Sequence, residues 1–502
     1  MEVNSISLRQ ALGPVSFVGC GDVSGATFCC DSRKVCTGDV FVALPGQIVD
    51  GHQFVESAVA SGAAAVVLER PNSKIGVPQC VVPDIREAWA KICMAQYGRP
   101  ERSLTVAGIT GTNGKTTSAW LLRAILETAG KTTGLLGTIE YSDGCSRSPA
   151  ALTTPPAPRV AEMFAKMAKQ HASHCVMEVS SHALDQKRCA AVPFAAGAIT
   201  NITRDHFDYH GDAFGYRTAK SKIASLLVAG APLLMGIDDP GCRAVMDLLP
   251  ATTRTLTFGF DASASLRAEM VSESIHAQHV RLSLDSGTIA LRSSLVGRHN
   301  VLNILVAASL AEQLGIDLPL IVEAIEAVTH VPGRMERIDE GQPFTVLVDY
   351  AHTPDGISHC LSTARTLVAG KVILVFGAGG DRDRLKRPLM ALAACTADSI
   401  IVTSDNPRSE PPVRIIDEIC GGFTSMLDVQ VCIDRNKAIE LALQMAEPGD
   451  AVVVAGRGHE TSQQIGIRTI SFDDRKVARR ILRELQASRF PSPQHVSDAI
   501  PV

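Results

Sequence analysis

Short apolar runs, each breaking at once into a polar and potentially reactive loop, recur along this chain. Leu104–Ile109 leads into Thr110–Thr117, Cys175–Met177 into Glu178–His182, and Ala195–Ile199 into Thr200–His206. Further on, Val346–Val348 runs into Asp349–Pro354, Val372–Phe376 into Gly377–Arg382, Ile400–Thr403 into Ser404–Arg408, and Ala451–Ala455 into Gly456–Glu460. Apolar runs without alternation read as strands covered on both faces, the mark of parallel α/β sheets. Ligands in such sheets bind beyond the carboxyl ends of the strands, so each set of loops is expected to converge on one site.

The spacing of these runs predicts three α/β domains. Residues 1–100 interleave Val40–Leu44, Ala63–Leu68 and Cys80–Val82 with the helical stretches Phe54–Ser61 and Ala88–Tyr97, and close at the turn-like Gly98-Arg99-Pro100. Residues 101–338 form a central unit of P-loop ATPase type. Within it, 252–296 alternates in strand fashion (Val280, Leu282, Leu284) and predicts an antiparallel excursion. The helical Asn303–Leu314 and Leu320–Val328 follow, and Val331-Pro332-Gly333 breaks the pattern. Residues 339–502 carry the four later strand–loop pairs, a Rossmann-like doubly wound sheet with a polar rim, and the tail after Arg489 has the composition of a disordered end.

Composition narrows the function classes. At 502 residues the chain exceeds one hydrophobic core, and a net charge of −4 makes no electrostatic case for nucleic acid or a membrane surface. Fourteen cysteines are scattered, with Cys29, Cys30 and Cys36 the one cluster and no C-x-x-C pair, so buried reduced thiols are expected rather than disulfides or zinc. Met1–Pro14 carries Glu2 and Arg9 and lacks the apolar core of a signal peptide, and runs such as Ala63–Leu68 are too short to span a bilayer. A cytoplasmic monomer acting on small molecules is the expectation.

The chemistry begins at T-G-T-N-G-K-T-T, Thr110–Thr117, between a strand and the helical run Ala119–Ala129. Gly111, Thr112, Asn113 and Gly114 would close backbone N–H groups on phosphate oxygens at a helix N-terminus. Lys115 would reach the terminal phosphates, and the hydroxyls of Thr116 and Thr117 follow, with Thr116 a ligand to Mg²⁺. Ile109 stands where the usual pattern has a glycine and Gly108 sits one place early, so the loop is a variant. Gly377-x-Gly379 imitates a dinucleotide fingerprint, but Arg382 holds the third glycine's place. Thr203–Asp212 gathers two histidines and three aspartates. Near a phosphate loop, one or two of these groups and Glu178 are candidate Mg²⁺ ligands. Lys222 reads as a solvated helix lysine.

Taken together, these segments resemble the Mur ligase family of peptidoglycan synthesis. The resemblance covers nearly the whole chain: T-G-T-N-G-K-T-T, E-V-S-S-H at 178–182, D-H-F-D-Y-H-G-D at 205–212, G-R-H-N at 297–300, P-G-R-M-E at 332–336 and D-Y-A-H-T-P-D at 349–355. Within the family it is strongest to members that add the third peptide residue to UDP-N-acetylmuramoyl-L-alanyl-D-glutamate. The resemblance implies ATP as co-substrate, Mg²⁺, and an acyl phosphate on the glutamyl carboxylate. It implies a carbamylated Lys220 that joins Thr116, Glu178 and His206 as a metal ligand. It also implies that Asn300 reads adenine, Arg334 braces the phosphates, Asp349 holds the ribose and His352 lies close to the nucleotide. Thr153, Thr154, Ser180, Gln186 and Arg188 would contact the muramoyl dipeptide. Ser32 and the turn Gln47-Ile48-Val49, where the family often has His-Gln-Ala, would contact the uridine diphosphate.

Asp405-Asn406-Pro407-Arg408 speaks to which amino acid is added. Relatives that add meso-diaminopimelate carry D-N-P-R, and lysine-adding relatives lack the arginine. The distal carboxylate of diaminopimelate suits a bidentate guanidinium, with Arg382 as a second cation and Gly456 and Glu460 for the distal ammonium. The lysine-adding ligase is the nearest alternative. The tetrahydrofolate–glutamate and D-Ala-D-Ala-adding ligases, a P-loop kinase or ATPase, and a non-catalytic nucleotide-binding scaffold are more remote.

Overall fold

Three sheets in chain order organise the computed structural model, which describes residues 5–46, 49–423 and 428–489. Gln47, Ile48 and the polar tail after Arg489 lie outside the described residues. The first sheet pairs Ser16–Val18, Gln79–Val81, Ala65–Leu68, Val40–Val42 and Phe28–Cys29 in that order, parallel except for its first strand.

The second sheet has eleven strands, and the phosphate-loop strand Thr105–Thr110 lies inside it, between His174–Glu178 and Phe194–Ile199. Parallel register sets Glu178 level with Ile109, and Ile199 level with Thr110. The three reactive loops therefore leave one edge of the sheet side by side. Gly108 has a packing role: a Cβ there would approach within 2.9 Å of the Phe194 ring on the neighbouring strand. The helix after the loop spans Lys115–Thr128, so Lys115, Thr116 and Thr117 form its first turn, and the helical run read at Ala119 begins four residues early.

The expected antiparallel excursion is only partly so. Arg254–Gly259 continues the parallel sheet and Leu266–Glu273 still starts parallel to it; the reversal comes with Gln278–Ser283 and Thr288–Ser293. Alternation marks a half-exposed strand and carries no information about the direction of its neighbour.

The third sheet runs Glu336–Ile338, Thr345–Asp349, Ala451–Ala455, Val372–Phe376, Ser399–Val402 and Val429–Val431. All but the first pairing are parallel. Side chains alternate between its two faces. Val346, Val348, Ile373, Val375, Val452 and Val454 pack with Ile439 and Ile481, while Leu347, Leu374 and Val453 pack with Ile357, Leu361 and Met390. Both faces are thus covered by helices, which is why these strands read as uninterrupted apolar runs. Pro354 opens the helix Pro354–Leu367, and the Thr353 hydroxyl accepts from Gly356 N at 3.1 Å, so the polar rim passes straight into a capped helix.

No helix among the described residues is long and apolar enough to cross a membrane. The cysteines are all free; Cys80, Cys93, Cys175, Cys189, Cys242 and Cys360 are buried as expected, whereas Cys30, Cys36 and Cys145 are exposed.

Candidate active site

The edges of the second and third sheets face each other across a cleft of about 1570 Å³. On the central side the phosphate loop is held by its neighbours. Thr112 N donates to the Asn201 carbonyl and Asn113 N to Asn201 Oδ1, each at 2.8 Å, while Thr200 Oγ1 donates to the Asn113 carbonyl at 2.6 Å. Gly111 and Gly114 have φ of 146° and 87°. A Cβ at Gly111 would run into Thr200 Oγ1, and one at Gly114 into Asn303 Oδ1. Lys115 folds back and donates to the Gly111 and Thr112 carbonyls at 2.8 and 2.9 Å, and has no salt-bridged carboxylate among the described residues. Burial lowers its pKa from the usual value.

Behind the loop sit two ionisable groups. Glu178, 1% exposed, accepts from Thr116 Oγ1, Thr138 N and Thr138 Oγ1, each at 2.8 Å. Lys220, equally buried, donates to the Gly111 carbonyl at 2.7 Å and lies 4.6 Å from the Tyr216 ring centroid. Burial, then the Lys115 charge, push its amine well below the usual lysine range. His206 has a left-handed backbone (φ 56°) and packs edge-on against His182; burial lowers its pKa to about 3, so its imidazole is neutral.

Next along the cleft, Thr154 Oγ1 donates to the Glu178 carbonyl at 2.8 Å and accepts from Ser180 N at 2.9 Å. Arg188 donates to the Thr154 carbonyl and to Gln186 Oε1, and has no carboxylate partner among the described residues. Thr153 accepts from Thr138 Oγ1 at 3.0 Å.

From the third sheet, Asp349 accepts from Met335 N at 2.7 Å, and burial raises its pKa. Arg334 donates to Thr116 Oγ1 at 3.1 Å while its guanidinium lies 4.5 Å over the Tyr350 ring. Arg382 and Arg408 face the cleft together; burial first, then the Arg382 charge, lower the pKa of Arg408. In the same cleft, Asn406 Nδ2 donates to Glu460 Oε2 at 2.7 Å, Asp405 Oδ2 is buried with no hydrogen-bond partner among the described residues, and Gly456 is part of the wall. Burial and the Asp405 charge raise Glu460 to about 7.

Most expected residues line this one cleft, but Gly111, Glu178, Lys220, Gln186 and Pro407 stand just behind its wall, and Ser32 and Val49 are not part of it. The Asn300 amide is already engaged, donating to the Val296 carbonyl at 2.7 Å and accepting from Asn303 at 3.0 Å, which places Asn303 against Gly114. No three His, Cys, Asp or Glu side chains among the described residues converge as a metal cage. The donors present, a threonine hydroxyl hydrogen-bonded to one carboxylate with a neutral imidazole nearby, do fit Mg²⁺, which keeps waters and is bound through one or two carboxylates and substrate phosphates.

Two contributors were not among the expected site residues. Lys386, from the helix Lys386–Ala394, meets Asp205 at 3.3 Å, and Asp355 accepts from Asn113 Nδ2 at 2.9 Å. Burial alone would raise the Asp205 pKa, but Lys386 holds it well below the usual carboxylate range. His352 lies 4.0 Å from the same carboxylate, and burial lowers its pKa to about 4. Asp355 lay at the end of a motif already noted, whereas Lys386 is a helix lysine like any other until the sheets are brought together.

A glycine-rich strand-to-helix loop and a cluster of charged residues line one cleft, as suits an ATP-dependent ligase, and the chain belongs to the Mur ligase family. Residues 27–97 match the Mur ligase family catalytic domain, 109–311 the Mur ligase middle domain, and 333–458 the Mur ligase glutamate ligase domain. It is 43% identical over 462 residues to the UDP-N-acetylmuramoyl-L-alanyl-D-glutamate–2,6-diaminopimelate ligase of Geobacillus kaustophilus, covering 90% of this chain and 94% of that one. To the ligase of the same name from Syntrophomonas wolfei it is 40% identical, covering 96% and 98%. A solved structure of a UDP-N-acetylmuramoyl-L-alanyl-D-glutamate–2,6-diaminopimelate ligase superposes with a TM-score of 0.67 at 31% identity, covering 96% of this chain and all of that one. MurF ligase from Thermotoga maritima, solved in complex with ADP, shares the fold with a TM-score of 0.61 at 18% identity, over 92% of this chain and 98% of that one.

Proposed function

We propose that this protein is an ATP-dependent ligase that joins an amino group of meso-2,6-diaminopimelate to the D-glutamyl carboxylate of UDP-N-acetylmuramoyl-L-alanyl-D-glutamate, in peptidoglycan precursor synthesis. The observation that carries the reading is that Arg382 and Arg408 line one cleft together with Asp405, Glu460 and Lys115. Two neighbouring guanidiniums suit a carboxylate, and two acids beside them an ammonium. The relatives that share this chain's length carry the same activity in their names.

Residues 1–100 would hold the uridine diphosphate through Ser32 and the Gln47-Ile48-Val49 turn, 101–338 the ATP, and 339–502 the incoming amino acid. In the reaction, Lys115 would leave its own loop carbonyls for the β- and γ-phosphates, joined by the backbone N–H groups of the loop and by Arg334. Asp349 would hold the ribose and His352 would lie near the nucleotide, with Asn300 and Asn303 supporting the adenine end. Arg188, lacking an acid partner, would take a carboxylate of the dipeptide, with Thr153, Thr154, Ser180 and Gln186 fixing its orientation.

The free glutamyl oxygen attacks the γ-phosphorus, and ADP leaves with the bridging electron pair. The amine nitrogen then attacks the acyl phosphate carbon, phosphate departs, and the ammonium-derived proton passes to solvent. Catalysis of this kind rests on positioning and on stabilising developing charge. Mg²⁺, held by Thr116, Glu178, His206 and Lys220 as a carbamate, would neutralise charge on the phosphate oxygens. A buried neutral amine beside Lys115 is the state from which a lysine accepts carbon dioxide, and the carbamate would turn an unfavourable cation into an anionic ligand.

Phosphate release from ATP, measured with the UDP-dipeptide and Mg²⁺ plus either meso-diaminopimelate or L-lysine, tests the reading. Release only with diaminopimelate is expected. Release with lysine alone would move the protein to the lysine-adding branch, and release that ignores both amino acids would make it an ATPase.

A further inference from the structure

The two loops that present Arg382 and Arg408 are bound directly to one another, and the second is also bound to the 457–466 segment through Arg408 N to the Gln464 carbonyl and Gln464 N to Asn406 Oδ1. Gly380 N donates to the Asn406 carbonyl at 2.9 Å, and Arg408 Nη1 to the Gly380 carbonyl at 2.6 Å. Asp381 accepts from Ser409 N at 3.1 Å and from Ser409 Oγ at 2.6 Å, and Asp381 N donates to Glu410 Oε1 at 2.6 Å. A Cβ at Gly380 would run into the Pro407 carbonyl, so the loops meet backbone to backbone. Asp381 and Arg408 both sit in the left-handed region, at φ 53° and 51°, where a side chain is strained unless its surroundings hold it.

Arg387 stands behind this clamp. Its side chain is fully buried and touches neither the cleft nor either guanidinium. It donates to both oxygens of Glu410 at 2.8 and 3.0 Å, to Glu418 at 2.7 Å and to the Gly379 carbonyl at 3.2 Å. One planar fork therefore grips the first loop through a backbone carbonyl and the second through Glu410, a geometry that a lysine ammonium cannot copy. The clamp works against repulsion, because Arg382 and Arg408 carry like charges toward the same space.

We propose that Arg387, acting through Glu410 and the Asp381–Ser409 clamp, is a positioning residue for amino-acid selection. It fixes the spacing of Arg382 and Arg408, so that the pair accepts a carboxylate of the right reach. This inference rests on the diaminopimelate reading above and assigns to it the element that sets its stringency.

The test is a set of steady-state measurements on Arg387→Lys, Ser409→Ala, Arg408→Ala and the double variant Arg387→Lys/Arg408→Ala, with diaminopimelate and lysine as alternative acceptors. Arg387→Lys should raise KM for diaminopimelate about tenfold, with kcat and the KM values for ATP and UDP-dipeptide near wild type. It should also narrow the preference over lysine. Ser409→Ala, an exposed change, should move the same parameters in the same direction. In the Arg408→Ala background the Arg387 effect on KM should shrink strongly, since no pair of guanidiniums is left to space. Unchanged acceptor KM in both single variants, an equal fall in all parameters, or full additivity in the double variant would overturn the proposal. Lack of discrimination by the wild-type enzyme would instead sink the diaminopimelate reading itself.

Discussion

A lysine amine buried beside a second lysine is poorly stable as a cation, and Lys220 is in that position behind the phosphate loop. If its role is to become a carbamate, protein equilibrated with ¹³C-bicarbonate should show a carbamate carbon resonance that is absent from Lys220→Ala. That variant should also lose ligation without rescue by excess bicarbonate; full activity would exclude the modification from the mechanism. Glu460 makes a second prediction at this scale. Burial and Asp405 raise its pKa to about 7, so in the empty site it is protonated below neutrality. If Glu460 takes the acceptor's ammonium as proposed, binding favours the charged carboxylate and must expel that proton. KM for diaminopimelate should rise as pH falls below 7, by up to about tenfold per unit, and stay near its minimum above 7. Glu460→Gln should show a high KM that is flat over the same range, and an unchanged profile would remove Glu460 from acceptor binding.

At the scale of elements, the phosphate site depends on a loop packed against two neighbours rather than on the loop alone. Thr200 closes on Gly111 from the adjacent strand, and Asn303 closes on Gly114 from the helix Arg298–Gln313. Gly111→Ala would place a methyl group on the Thr200 hydroxyl at a φ that an L-residue rarely adopts. ATP affinity, followed by calorimetry, should fall by at least about tenfold while diaminopimelate-site variants leave it intact; wild-type affinity in Gly111→Ala would show that the loop can relax. The strand–loop pattern was legible because strands buried on both faces must be apolar throughout. The direction of Leu266–Glu273 was not legible, since an alternating strand looks the same beside a parallel or an antiparallel neighbour.

Over the whole molecule, the central and C-terminal domains are joined at the cleft floor by polar bridges, Asn113–Asp355 and Asp205–Lys386. Asp205 and Lys386 are both buried, at 4% and 5% exposure, so removing one partner leaves an uncompensated charge. Lys386→Met should cost about 3–5 kcal/mol, visible in calorimetry as a lower Tm for the transition that separates these domains, and Asp205→Asn added to it should recover most of the loss. The folded-state pKa of Asp205 is depressed, so its contribution is fully present above the usual carboxylate value near 4 and is lost as pH falls toward the lower folded value. A Tm unchanged by Lys386→Met would show that the pair holds nothing together.

Local order determined what the sequence alone could tell. Each apolar run had to become a buried strand, and each glycine-rich or charged loop after it had to lie at a strand end, so the three-domain α/β architecture and the phosphate loop were readable, as were Arg408 and Glu460. Tertiary structure alone decided which distant residues meet around the cleft. Arg387 grips Glu410 across 23 positions of chain, and Lys386 reaches Asp205 across 181. The physical reason is that a strand announces itself by its own side chains, whereas a salt bridge or clamp depends on distances between loops that only the packing of sheets against helices can set.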